Sequence, residues 1–222
     1  MDEPFAVKDC ALLAIATGIK AQNLLDLRNR LETISTDCIY YHFWGGLLHS
    51  KFDNPDYQND FASWAYSGLH DGGLAERLGI IDPTGSDDLE DLRQELLDVI
   101  DERLDETEMV PWAKPGHHFH FIHSQIVVVD TLKRISRPEE LRVLIPHLST
   151  SSIFYHFIDA RRRSPRAVDD FSLWLESSDG KYRRVIQRLK SIDPYFSSLM
   201  ELRVQIAAVF TEYMSEARAH ER

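Results

Sequence analysis

The chain has 222 residues, 43% hydrophobic, 10% aromatic and 27% charged, with 25 basic against 36 acidic residues and a net charge of −11. That composition excludes disordered and fibrous classes, and the acidity argues against a nucleic-acid partner. No apolar run approaches the ~18 residues of a membrane helix; the acidic start Met1-Asp2-Glu3-Pro4 lacks a signal peptide's basic flank, and two cysteines are too few for a disulfide framework. A soluble cytoplasmic protein with reduced thiols and no membrane partner is expected.

The first apolar stretch, Ala11 to Ala16, is ambiguous between strand and helix. Leu24, Leu27 and Leu31 predict a short amphipathic helix after Asn23, and a second opens at Ser35-Thr36 with Ile39, His42 and Phe43 on one stripe. Asn54-Pro55 announces a third with Phe61 and Trp64 inward, and Leu74 and Leu78 mark a fourth. The longest follows Ser86, where Leu89, Leu92, Leu96, Val99 and Arg103 recur at helical spacing. Ile126 to Val129 is short and β-branched, which predicts a strand.

A second series then follows. Ser136 and Pro138 open its first helix, Ser164-Pro165 announces the one carrying Phe171 and Trp174, and Val185 with Leu189 marks the next. Leu199, Leu202, Ile206, Val209 and Tyr213 follow Ser197 in the last. The likeness of the two series is one of identity as well as spacing. Residues 27–43 laid over 141–157, a gapless shift of 114, agree at eight of seventeen positions, including Tyr41-His42-Phe43 and Tyr155-His156-Phe157. Asp60-Phe61-x-x-Trp64 and Asp170-Phe171-x-x-Trp174 continue the match, followed by Ile-Asp-Pro and Leu-Arg; Phe5 and Thr17 pair with Phe119 and Thr131 ahead of it. The expected fold is therefore mainly α, with two tandem pseudo-repeats of about five helices each and a small β element near the start of each. The units would span 1–110 and 117–222, packed as one globule.

Charge is divided unevenly. Residues 1–114 hold 23 acids and 9 bases, and the rest 13 acids and 16 bases. Eleven acids fall between Asp87 and Glu108, while Arg161, Arg162, Arg163, Arg166, Arg183 and Arg184 lie in the second half. Solvated helix faces and favourable helix-end charges explain most of this. Association with a protein partner or a second copy through opposite charge is the sharper reading.

The recurrent polar set is His42 with Asp60 and His156 with Asp170. A histidine on the inner stripe of a helix needs hydrogen-bond partners, and an aspartate on the next helix can supply one. A general base is the rival reading. The repetition favours two structural His–Asp pairs, because a packing device must recur wherever its fold recurs. Trp44-Gly45-Gly46, with His49 and Trp112, forms the candidate ligand pocket, since two glycines inside a helix suggest close approach to the backbone. His118, His120 and His123 could offer imidazoles to a metal, but no acid or cysteine at ligand spacing accompanies them. Cys10 and Cys38 read as small buried residues. No catalytic set, metal site or cofactor is expected.

The duplicated Tyr-His-Phe … Asp-Phe-x-x-Trp unit, with Cys10-Ala11-Leu12-Leu13, Ile39 to Gly46 and Pro111-Trp112-Ala113, resembles an uncharacterised bacterial family, a domain of unknown function. The resemblance covers nearly the whole chain and implies a small helical module reused in different settings, with nothing catalytic to carry over. The second copy departs from it at Asp169, where the first has Asn59, and at the loss of Trp44. The function expected from the sequence is a non-catalytic binding or scaffolding role. The alternative is a small-molecule enzyme or metal-binding protein using His42 or the histidines of 117–123.

Overall fold

A computed structural model of the chain describes residues 3–48, 57–86, 88–178 and 180–220, with side chains described as far as 213. Two 17-residue strands, β1 (Phe5–Ala21) and β2 (Phe119–Ile135), pair antiparallel as a two-stranded sheet. Between them lie α1 (Leu24–Leu31), α2 (Thr36–Leu48), α3 (Asp60–Ser67), α4 (Gly72–Gly79) and α5 (Leu89–Glu106). After β2 come a 3-10 turn at Pro138–Glu140, α6 (Leu141–Leu144), a second 3-10 turn at Ile145–His147 and α7 (Thr150–Ile153). A π-helical stretch, Phe154–Asp159, leads into α8 (Ala160–Arg163), followed by α9 (Asp170–Glu176), α10 (Arg183–Lys190) and α11 (Leu199–His220).

This architecture corrects the expectation of two tandem five-helix repeats with a small β element. The β element is long. Phe5 and Val7, and Phe119 and Phe121, alternate inward as strand residues do, but the alternation stops after one pair in each strand and the signal is weak in sequence. The β-branched run that does announce a strand is exposed at Val127, Val128 and Val129. The helices of the second half are also divided differently. Pro146 lies in the second 3-10 turn, where α6 has ended, and His156 falls in the π-helical stretch rather than in a continuous helix like α2.

The helix starts follow side-chain caps. The Asn59 side chain accepts the Ala62 amide at 2.8 Å to open α3, and Asp169 accepts the Ser172 amide at 2.8 Å to open α9. Ser164-Pro165 therefore lies ahead of α9 and does not start it, and Asn54-Pro55 falls outside the described residues. Asp88, not Ser86, caps α5, and Arg137, without a capping side chain, precedes Pro138.

The chain forms two compact units, one of Met1–Ala11 with Ile126–Arg222 and the other of Leu12–Gln125. The order is thus not simply tandem: the first residues of β1 belong with the helices of the second half. In the unit Leu12–Gln125, Leu27, Phe43, Phe61, Leu78, Leu92 and Ile100 are fully or almost fully buried, together with Phe119 and Phe121 of β2. In the other, Leu141, Phe157, Phe171, Leu189, Leu202 and Ile206 are buried with Phe5 and Val7 of β1. Burial of such side chains is worth about 1.5–3 kcal/mol each and dominates the fold's stability.

At one capping position the two units differ in charge. Asn59 also donates its side-chain N–H to the Leu78 carbonyl at 2.9 Å, whereas Asp169, 1% exposed, accepts from the Ser172 amide and hydroxyl. Burial raises the Asp169 carboxyl above its ordinary range, against the lowering effect of the Ser172 bonds. A carboxyl whose folded value lies above its unfolded one stabilises the fold at low pH and loses that contribution as pH rises through the folded value. Asp169→Asn should therefore raise stability at pH 7 by about 1 kcal/mol, with the gain shrinking as pH falls through the raised folded value and gone below about pH 4. Thermal melts of both proteins across that range check the sign.

Candidate functional site: paired histidine fasteners

In each unit a histidine joins three elements. In Leu12–Gln125, His42 on α2 has its Nδ1 2.8 Å from Asp60 Oδ2 on α3, and its Nε2 accepts the Ile122 amide of β2 at 3.1 Å. In the other unit, His156 Nδ1 lies 2.7 Å from Asp170 Oδ2 on α9, and its Nε2 accepts the Lys8 amide of β1 at 2.9 Å. A backbone N–H can only donate, so Nε2 must carry the lone pair and Nδ1 the proton that it gives to the carboxylate. Both ring nitrogens are used. The imidazoles are 3% and 2% exposed, and the carboxylates are partly open.

Aromatic rings close around each imidazole. Phe119 lies 4.7 Å from the His42 ring, stacks on Phe61 at 5.1 Å and meets Trp64 at 5.6 Å. Phe5 lies 4.9 Å from His156, 5.3 Å from Phe171 and 5.4 Å from Trp174. The tryptophans of α3 and α9 also tie down the chain ahead of the strands. Trp64 Nε1 donates to the His117 carbonyl at 2.6 Å, and Trp174 Nε1 to the Glu3 carbonyl at 3.0 Å. Such aromatic contacts add about 0.5–1.5 kcal/mol beyond their burial.

Further bonds lock the strands. Thr17 Oγ1 donates to the Phe121 carbonyl at 2.7 Å, and Thr131 Oγ1 to the Val7 carbonyl at 2.6 Å. Ser124 Oγ donates to the Asp37 carbonyl at 3.1 Å, and Cys10 Sγ to the Ser151 carbonyl at 3.3 Å. Arg93 donates to the Leu31 and Ile34 carbonyls, and Arg203 to the Leu148 carbonyl at 2.8 Å. None of these partners follows from sequence spacing. The shared Phe5/Phe119, Thr17/Thr131 and Leu-Arg positions were its faint signal.

The thiols are not activated. Burial pushes Cys10 up to about 12, helped by the nearby Asp159 and Asp9 charges, and burial likewise raises Cys38. Both cysteines are free and buried.

The other sequence candidates are more dispersed. Trp44 is 6% exposed with Tyr40 6.5 Å away, while Trp112 is 65% exposed. A Cβ on Gly45 would stand 3.0 Å from the Tyr41 ring of its own helix, which accounts for that glycine without a ligand. Gly46 is half-buried, and His49 lies outside the described residues. His120 on β2 is exposed, alternating with buried Phe119 and Phe121, and His118 and His123 are half-buried. Among the described residues no group of three or more histidine, cysteine or acidic side chains could hold a metal ion.

The acidic α5 is paired to its neighbours: Arg28 meets Asp101 at 2.8 Å, Arg77 meets Glu106 at 2.8 Å and Arg103 meets buried Asp71 at 2.7 Å. Among the described residues no helix is long and apolar enough to cross a membrane.

This chain belongs to a family of unknown function, DUF5752, which matches residues 2–211. It is similar to the solved structure of OrfY from Thermoproteus tenax, with 25% identity and a TM-score of 0.81 over 95% of each chain. No curated protein matches it.

Removing an imidazole leaves a strand amide without its acceptor and takes one donor from the carboxylate. His42→Ala or His156→Ala should cost about 1–3 kcal/mol, and Phe119→Ala or Phe5→Ala about 3–5 kcal/mol, in urea unfolding. Losses within 0.5 kcal/mol for the histidine variants would contradict the geometry.

Proposed function

We propose that this protein is a non-catalytic binding or scaffolding module in which the two His–Asp couples hold a strand against two helices. The observation that carries the reading is the occupation of both ring nitrogens in each couple. A general base must have a lone pair free to take the substrate's proton, and a metal ligand must offer one to the ion. Here each Nε2 lone pair already receives a strand amide in a site closed by aromatic rings. The proposal also has the two halves arising by duplication, supported by equivalent bonds at positions 114 residues apart: His42 with Ile122's amide and His156 with that of Lys8. Operation in the cytoplasm is in keeping with two free, buried thiols.

Acylation by diethyl pyrocarbonate tests the reading, because the reagent attacks a free imidazole lone pair. In the native protein the exposed His117 and His120 should react quickly, and His42 and His156 only at the rate of unfolding. Peptide mapping by mass spectrometry assigns the sites. Fast native modification of His42 or His156 would sink the proposal and revive the enzymatic alternative.

A further inference from the structure

We infer that the cavity at the C-terminal end of α8 binds a small phosphomonoester-type dianion through Arg163, Arg166 and Ser164. The cavity measures about 380 Å³, and Ala160, Arg163, Ser164, Arg166, Asp170 and Leu173 are among its lining residues. That volume falls within the ~300–1,000 Å³ of small-molecule sites.

Arg163 is held in place before any ligand arrives. Its Nε donates to Asp159 Oδ2 at 2.8 Å, and its Nη2 donates to the Tyr155 carbonyl at 2.9 Å and to Asp170 Oδ2 at 3.0 Å. The guanidinium lies 4.0 Å over the Tyr155 ring. These bonds use Nε and Nη2 and leave Nη1 as the donor for a ligand. Asp159 is 1% exposed, and Arg162 also donates to it, at 3.1 and 3.2 Å. Burying a carboxylate is costly unless its partners are well placed. Here it fixes a guanidinium on a cavity wall, and a preorganised donor of this kind gives the strongest anion contacts.

Arg166 supplies the exchangeable part. It is 59% exposed and paired with Glu176, and surface pairs of this kind are worth about 0–1 kcal/mol. A dianion can therefore displace Glu176 and gather both guanidinium groups, with the Ser164 hydroxyl as a further donor. The Arg166 fork, the Arg163 Nη1 donor and a hydroxyl suit the tetrahedral oxygens of phosphate, while Ala160 and Leu173 offer an apolar wall to a carbon carrier. The corresponding stretch of the first half, Gly46 to Phe52, has no arginine, so the arginine pair is particular to the second half of the sequence. The inference does not depend on the non-catalytic reading of the histidines.

Calorimetric titration of the full chain with inorganic phosphate and with glycerol 1-phosphate, against chloride at matched ionic strength, tests it. Saturable binding is expected, about tenfold weaker in Arg166→Ala, where one charge-assisted contact is lost. Glu176→Gln removes the competitor and should tighten binding about threefold or more. Both side chains are on the surface, and unchanged melting temperatures without phosphate show that the variants fold. Equal binding of the two ligands makes the phosphate group the recognised unit, and tighter binding of the ester assigns the Leu173 wall to its carrier. No saturable heat up to about 10 mM, or unaltered affinity in both variants, would overturn the inference.

Discussion

A strand amide donating to an imidazole lone pair is the contact on which each unit is organised. Hydrogen bonds from a strand normally go to another strand, and a two-stranded sheet leaves its outer edges unpaired. The Ile122 and Lys8 amides solve this by meeting His42 and His156, which sit on helices and reach onward to Asp60 and Asp170. One neutral ring therefore sets the distance among a strand and two helices. Its orientation commits both ring nitrogens to bonds within the fold.

The aromatic side chains make that bond possible. Phe119 packs between His42 of α2 and Phe61 of α3, and Phe5 between His156 of the π-helical stretch and Phe171 of α9, and they exclude water from the imidazole–amide contact, which strengthens it. The tryptophan N–H groups then hold the chain just ahead of each strand. The threonine hydroxyls bond the facing strand's carbonyls further along.

Differences between the units are informative because so much is held in common. Asn59 and Asp169 perform the same capping task, but only the amide can also donate to a carbonyl. Around the π-helical stretch the second unit adds Asp159, Arg162 and Arg163, a buried acid with the guanidinium groups that neutralise it. The first unit has Gly45 and Gly46 in this region, with Gly45 closed by the Tyr41 ring. Of these charges Arg163 borders the cavity, whereas Gly45 is accounted for by local packing.

Most of the helices were legible because apolar residues at 3.6-residue spacing survive any arrangement of their neighbours, as Leu24, Leu27 and Leu31 or Leu92 and Leu96 do. The His42 and His156 couplings to aspartate were also readable, since each pair lies within 18 residues on adjacent helices. The long strands were not. Their inward residues are few, and the alternation breaks at Lys8-Asp9 and at Ile122-His123, where neighbouring residues are half-buried alike. Local order determined which segments coil and which polar pairs recur. Only the tertiary structure decided that Lys8 meets a histidine 148 residues away, because a backbone amide has no signature in sequence and its partner is chosen by the packing of the whole unit.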